Sequence, residues 1–108
     1  VNRIGDFNPQ DLANTVWAFA TAGVAAENFF EAIAGAAVTR IGDFKPQEMA
    51  NTVWAFATAG VAAETLFGAI AGGAVNGIGD FKPQEMANTV WAFATAGVAA
   101  ATLFGAIA

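Results

Sequence analysis

The chain has 108 residues, 56% of them hydrophobic, and a net charge of -5 from four basic and nine acidic residues. It contains no Cys, His, Ser or Tyr, which excludes disulfides, serine and thiolate nucleophiles, histidine bases and His/Cys metal sites. We therefore expect neither an enzyme nor a protein with a cofactor or a metal, and the acidic balance argues against a strongly basic nucleic-acid surface.

A string of 13 residues occurs three times without change, at residues 14–26, 51–63 and 88–100. A constant spacing of this size predicts a repeat array. We divide the single domain, residues 1–108, into repeats 4–40, 41–77 and 78–108. Val1-Asn2-Arg3 matches the residues that close a repeat, and Ala108 falls inside a predicted helix. We therefore expect both ends to belong to a longer array.

Each repeat is predicted to form two helices, the first beginning at a proline and ending at a glycine. Proline suits the first helical position, and glycine suits the left-handed residue that follows a helix. The first helices accordingly start near Pro9, Pro46 and Pro83 and end before Gly23, Gly60 and Gly97.

The caps are predicted to differ between repeats. Asn8 is a good cap, with Asp11 three residues later. Lys45 occupies the equivalent position in repeat two and has no acceptor atom. We expect Asp43, and Asp80 in repeat three, to accept the free backbone N–H groups.

On a helical wheel, the apolar residues of the first helix fill an arc of roughly 160° that includes the tryptophan. That width suits a helix wedged between its partner and the next repeat. We therefore expect Trp17, Trp54 and Trp91 to form a buried internal ladder, in which a Trp→Ala change costs roughly 3–5 kcal/mol.

The second helix is predicted from about Ala26 to Thr39, with equivalents in the later repeats. In repeat two it contains Gly68, Gly72 and Gly73, each of which costs about 1 kcal/mol relative to Ala. We expect close packing to compensate. The hinge that follows the second helix is predicted to contain a left-handed glycine, Gly42. Together these elements predict an all-α fold, an α-solenoid with a right-handed superhelix.

The uncharged stretch 86–108 is long enough to cross a bilayer. It carries Asn88, three threonines and two glycines. We therefore expect no membrane segment.

The string Phe44-Lys-Pro-Gln-Glu-Met-Ala-Asn-Thr-Val-Trp-Ala-Phe-Ala-Thr-Ala-Gly60 resembles the core of octotricopeptide and heptatricopeptide repeats, and the other repeats carry it with minor changes. The resemblance implies an α-solenoid that binds single-stranded RNA in chloroplasts or mitochondria and acts in transcript stability, processing or translation. It also implies that polar positions of the first helices meet bases. These candidates are Asp11, Asn14, Thr15, Ala18, Glu48, Asn51, Thr52, Ala55, Glu85, Asn88, Thr89 and Ala92.

Four basic residues at the hinges, Arg3, Arg40, Lys45 and Lys82, are candidates for phosphate contact. Four contacts would limit the salt slope of RNA binding to about -2.8, since each contributes about -0.7. Family members often carry a basic residue and Leu before the closing glycine, where this chain has Thr and Ala. We therefore expect weak binding. Near-identical repeats predict a preference for a tract of one repeated base.

Two alternatives remain open from the residues alone, and one further prediction concerns the ends of the array. The asparagine row could bind base edges or hydrogen-bond the backbone of a neighbouring repeat. The acidic, Ala-rich first-helix face, with its aromatics predicted in the core, also suits a protein-interaction scaffold for a basic or apolar peptide. Exposed end faces of the array predict self-association.

Overall fold

The computed structural model describes residues 7–23, 27–61 and 63–97. These residues form five α-helices: α1 (Pro9–Thr21), α2 (Glu27–Thr39), α3 (Pro46–Ala59), α4 (Glu64–Asn76) and α5 (Pro83–Ala96). Short 3-10 turns, Ile41–Asp43 and Ile78–Asp80, join α2 to α3 and α4 to α5. The predicted all-α class is confirmed, and the described part of the chain contains no strand.

The helices pack in two layers. The first helices of the repeats lie side by side, with α3 between α1 and α5. The second helices, α2 and α4, contact each other. Each described second helix also contacts the first helix of its own repeat.

Phenylalanine pairs join successive repeats across the two layers. Phe30 on α2 packs against Phe56 on α3 with ring centroids 5.1 Å apart. Phe67 on α4 packs against Phe93 on α5 at 5.0 Å. All four rings are fully buried, so each hydrophobic contact ties the second helix of one repeat to the first helix of the next.

The predicted cap of α1 is confirmed, whereas that of α3 is made differently. The Asp11 N–H donates to Asn8 Oδ1 at 2.7 Å, and the Asn8 N–H donates to Asp11 Oδ2 at 3.1 Å. In α3 the Lys45 N–H donates to Glu48 Oε1 at 2.8 Å. The expectation for Asp43 was wrong, because its carboxylate accepts no hydrogen bond from the described residues. A first-turn glutamate instead accepts the N–H of the residue that precedes the helix. The equivalent glutamate does the same in α5.

Glycine conformations follow the prediction at the ends of the first helices but not at the hinge. Gly23, Gly60 and Gly97 have φ angles of +76°, +77° and +71°. Gly42 lies in a 3-10 turn and has no positive φ. The prediction of a left-handed glycine in the hinge was therefore wrong, and the chain changes direction there through a 3-10 turn instead.

The glycines inside α4 mostly face open space. A Cβ at Gly68 or Gly72 would meet nothing within 4 Å. A Cβ at Gly73 would lie 3.2 Å from Met49 Sδ. Close packing therefore explains Gly73 only, and the expectation was wrong for the other two.

In the described ranges, no helix is long and apolar enough to cross a bilayer. Helix α5, which begins the uncharged stretch considered above, has 14 residues. Residues 98–108 of that stretch lie outside the described residues.

Candidate nucleic-acid interface

The tryptophans lie at the edge of the surface and not in a buried ladder. Trp17 is 45% exposed and Trp91 is 47% exposed, while Trp54 is half-buried. The prediction of an internal ladder was therefore wrong. The physical reason is that the first helices contact one another through small side chains such as Ala55, which is 0% exposed. The indoles lie at the edge of this contact, where Trp17 and Trp54 stack on each other.

Polar residues share this surface with the tryptophans. Gln10, Asn14 and Trp17 are four and three residues apart on α1, which places them on one helix face, and all three are exposed. Because the first helices lie side by side, three such faces form one surface, which we name the Asn–Trp ridge. The ridge consists of Gln10, Asn14 and Trp17 on α1, Gln47, Asn51 and Trp54 on α3, and Gln84, Asn88 and Trp91 on α5.

The asparagine amides of the ridge are available to a ligand. Asn14 is exposed, and Asn51 and Asn88 are partly exposed. Among the residues the structure describes, none of these three side chains has a hydrogen-bond partner. The alternative that they bind the backbone of a neighbouring repeat is not realised here. Each amide offers one acceptor oxygen and two N–H donors.

The threonines of the candidate set have a local structural role. The hydroxyl of Thr15 donates to the carbonyl of Asp11 at 2.7 Å. Thr52 and Thr89 make the same bond one turn back, at 2.7 and 2.8 Å. Such bonds occupy the hydroxyl within its own helix.

Four candidate positions are enclosed between helices. Thr52, Ala55 and Ala92 are 0% exposed and Thr89 is 1% exposed, because α3 and α5 pack against the preceding first helix through this side. Their expected place on an open face was therefore wrong. Ala18 is exposed, since the described residues contain no helix before α1.

The acidic candidates are used at the helix starts. Asp11, Glu48 and Glu85 each accept the N–H of the residue that precedes their helix. Their carboxylates point toward the first turn, where negative charge suits the helix dipole. Acidic side chains at these positions oppose the approach of phosphates.

The basic candidates divide into two kinds. Lys45 and Lys82 are exposed at the starts of α3 and α5. The Arg40 guanidinium is part-buried and donates to the carbonyl of Phe7, which ties the end of α2 to the start of repeat one. Arg3 lies outside the described residues. Asn51 follows Lys45 by six residues, so the backbones of these two residues are roughly 9 Å apart along the axis of α3.

The described residues contain no cluster of acidic residues that could hold a metal ion.

The Asn–Trp ridge offers two kinds of chemistry, aromatic faces for stacking and amides for hydrogen bonding. Sequence reasoning assigned the tryptophans to the core and left out the glutamines. The spacing of Gln10, Asn14 and Trp17 was the signal that could have placed them together.

Comparison with protein families gives a match that covers the chain. The model of the RNA-editing substrate-binding complex 6 protein family matches residues 1–108. The curated proteins give no match, and the solved structures give none either. The match points to a helical protein of RNA metabolism, without support for octotricopeptide repeats in particular. Because it spans the full sequence, the chain belongs to the RNA-editing substrate-binding complex 6 protein family.

Proposed function

We propose that this chain is an RNA-binding α-solenoid of octotricopeptide type with a right-handed superhelix, and that single-stranded RNA lies along the Asn–Trp ridge. The observation that carries the proposal is the row of half-exposed indoles beside asparagine amides without partners. The family supports it, because its name places a member in a complex that binds an RNA-editing substrate.

Stacking would supply most of the affinity. Each base stacked on an aromatic side chain contributes about 1–3 kcal/mol. Trp17, Trp54 and Trp91 offer one indole for each repeat. Because Trp17 and Trp54 stack on each other, a base would use the solvent-facing part of these two rings. A single strand is required, because a duplex does not expose the faces of its bases.

The asparagines would then provide base selection. Asn14, Asn51 and Asn88 lie one turn before the tryptophan of their own repeat, so an amide can reach the edge of a base stacked on the ring. The three repeats present the same amide beside the same indole. We therefore expect a tract of one repeated base to bind more tightly than a mixed sequence.

Electrostatics would add little. Lys45 and Lys82 are the exposed basic side chains of the described residues, and two phosphate contacts give a salt slope of about -1.4. The net charge of -5 opposes binding.

Of the two organelles implied by the resemblance, the mitochondrion is compatible with an RNA-editing family, whereas the chloroplast has no support.

The proposal is tested by titrating the chain with homopolymeric and mixed RNA 12-mers at low salt while following tryptophan fluorescence. Stacking on the ridge should quench the fluorescence, most strongly with one homopolymer. A duplex of the same length should quench much less. Equal binding of all single strands would contradict the one-base preference, and no quenching by any of them would contradict the ridge as the binding surface.

A protein-interaction scaffold is the second candidate, and we propose no enzymatic activity. The observation that favours the scaffold is the exposed acidic residues in the N-terminal halves of the second helices, Glu27 and Glu31 on α2 and Glu64 on α4. A basic peptide would pair with them. If a basic peptide binds the chain and RNA does not, the scaffold replaces the RNA-binding proposal.

A further inference from the structure

The chain contains the same helix interface twice. Helix α1 packs against α3, and α3 packs against α5. The first helices share one identical sequence, which stands at residues 14–23, 51–60 and 88–97. The two ends of this row therefore carry complementary halves of an interface that the molecule already forms.

One half, which we name the front face, lies on the side of each first helix toward the preceding repeat. Ala55 on α3 and Ala92 on α5 are 0% exposed there. The equivalent Ala18 on α1 is exposed. Since the three alanines have identical neighbours in sequence, this difference arises because no described helix covers the front face of α1.

The other half, the back face, lies toward the following repeat. Ala13 on α1 and Ala50 on α3 are each 1% exposed, whereas Ala87 on α5 is exposed. Val53 is fully buried, but its counterpart Val90 is only half-buried.

On α5 the open back face forms an apolar cleft lined by Pro83, Met86, Ala87, Val90 and Trp91.

We propose that the front face of α1 from a second copy docks on the back face of α5. Met86, Ala87 and Val90 would meet Thr15 and Ala18 of the second copy. They correspond in sequence to Met49, Ala50 and Val53 on α3 and to Thr89 and Ala92 on α5. All five of these residues are buried, and α3 and α5 are in contact. The contact joins two different surfaces, so it leaves one end open and extends head to tail.

Sedimentation velocity of the 108-residue chain over a range of concentrations tests the proposal. The wild type should form dimers and longer oligomers as concentration rises. Ala18→Glu places a charged side chain on the front face, and Ala87→Glu places one on the back face. Both positions are exposed. Each variant alone should stay monomeric, with association at least about tenfold weaker, because docking would bury an unpaired carboxylate.

Mixing the two variants gives the sharpest result. The intact back face of Ala18→Glu can still bind the intact front face of Ala87→Glu, so the mixture should stop at a dimer. Thr95→Glu adds the same charge to α5 at an exposed position and should associate like the wild type. Circular dichroism checks that every variant keeps its helix content.

Three results would overturn the proposal. They are a wild type that remains monomeric at all concentrations, an Ala18→Glu variant that associates like the wild type, and a mixture that forms no dimer. A dimer of Ala18→Glu alone would indicate that two α5 faces pair symmetrically.

Discussion

The indole rings of Trp17 and Trp54 stack across the contact between α1 and α3, with centroids 6.2 Å apart and planes inclined by 30°. Each ring thus covers part of its neighbour and leaves the rest to solvent. The pair connects successive repeats at the surface, whereas Phe30 and Phe56 connect them in the core. Aromatic side chains therefore have two roles in this repeat, distinguished by their position on the helix.

This division predicts unequal costs of truncation. Phe56→Ala should lower the free energy of unfolding by about 3–5 kcal/mol, because it opens a cavity in a fully packed site. Trp17→Ala should cost about 2 kcal/mol or less, since nearly half of the side chain already lies in water and solvent can occupy the space. Urea denaturation followed by circular dichroism measures both, and a larger loss for Trp17→Ala would contradict the exposed position of this indole.

A matched pair on α3 distinguishes RNA contact from helix packing. Asn51→Ala removes an amide with no described protein partner, so RNA binding should weaken by about five- to thirtyfold, the loss of a hydrogen bond worth roughly 1–2 kcal/mol. Thr52→Val alters the adjacent enclosed side chain with little change in shape, so RNA affinity should stay within about twofold. Fluorescence anisotropy with a labelled homopolymer gives both affinities. An effect of Thr52→Val as large as that of Asn51→Ala would indicate that the assignment is wrong.

The sequence allowed much of the fold to be predicted and less of the surface. Proline and glycine each act on the local backbone, so the starts at Pro46 and Pro83 and the end before Gly60 followed directly from residue type. The place of Trp54 depends on how closely α3 approaches its neighbours, which is decided by Ala50 and Ala55 on both sides of the helix. A helical wheel of one helix shows an apolar arc but not the width of the gap that the arc must fill.

The cap of α3 predicts a substitution that separates stability from RNA affinity. Lys45 has the extended backbone of a cap residue, and only the Glu48 half of the reciprocal cap is present. Lys45→Asn should complete it as in α1 and raise the free energy of unfolding by roughly 0.5–1 kcal/mol. Loss of the lysine charge should make the salt slope of RNA binding about 0.7 less negative, if this side chain contacts a phosphate.

Lys45→Ala is the matched control, because it removes the charge without adding a cap. It should change the salt slope as much as Lys45→Asn does and should give no increase in stability. If the slope stays constant in both variants, Lys45 does not contact the RNA backbone. If both variants gain the same stability, the gain comes from loss of the lysine charge and not from a new helix cap.

The glycines of α4 predict that two neighbouring substitutions differ in effect. Gly72→Ala should stabilise the chain by about 1 kcal/mol, because alanine is the better helix former and its Cβ would enter open space. Gly73→Ala gains the same helix propensity but brings a Cβ to 3.2 Å from Met49 Sδ, so the methionine must shift and part of the gain is lost. Gly60→Ala, at a φ of +77°, should cost about 1 kcal/mol, since only glycine adopts that conformation without strain. Thermal and urea unfolding of the three variants should therefore rank Gly72→Ala above Gly73→Ala and Gly73→Ala above Gly60→Ala, and a destabilised Gly72→Ala would show that this side of α4 contacts another surface in solution.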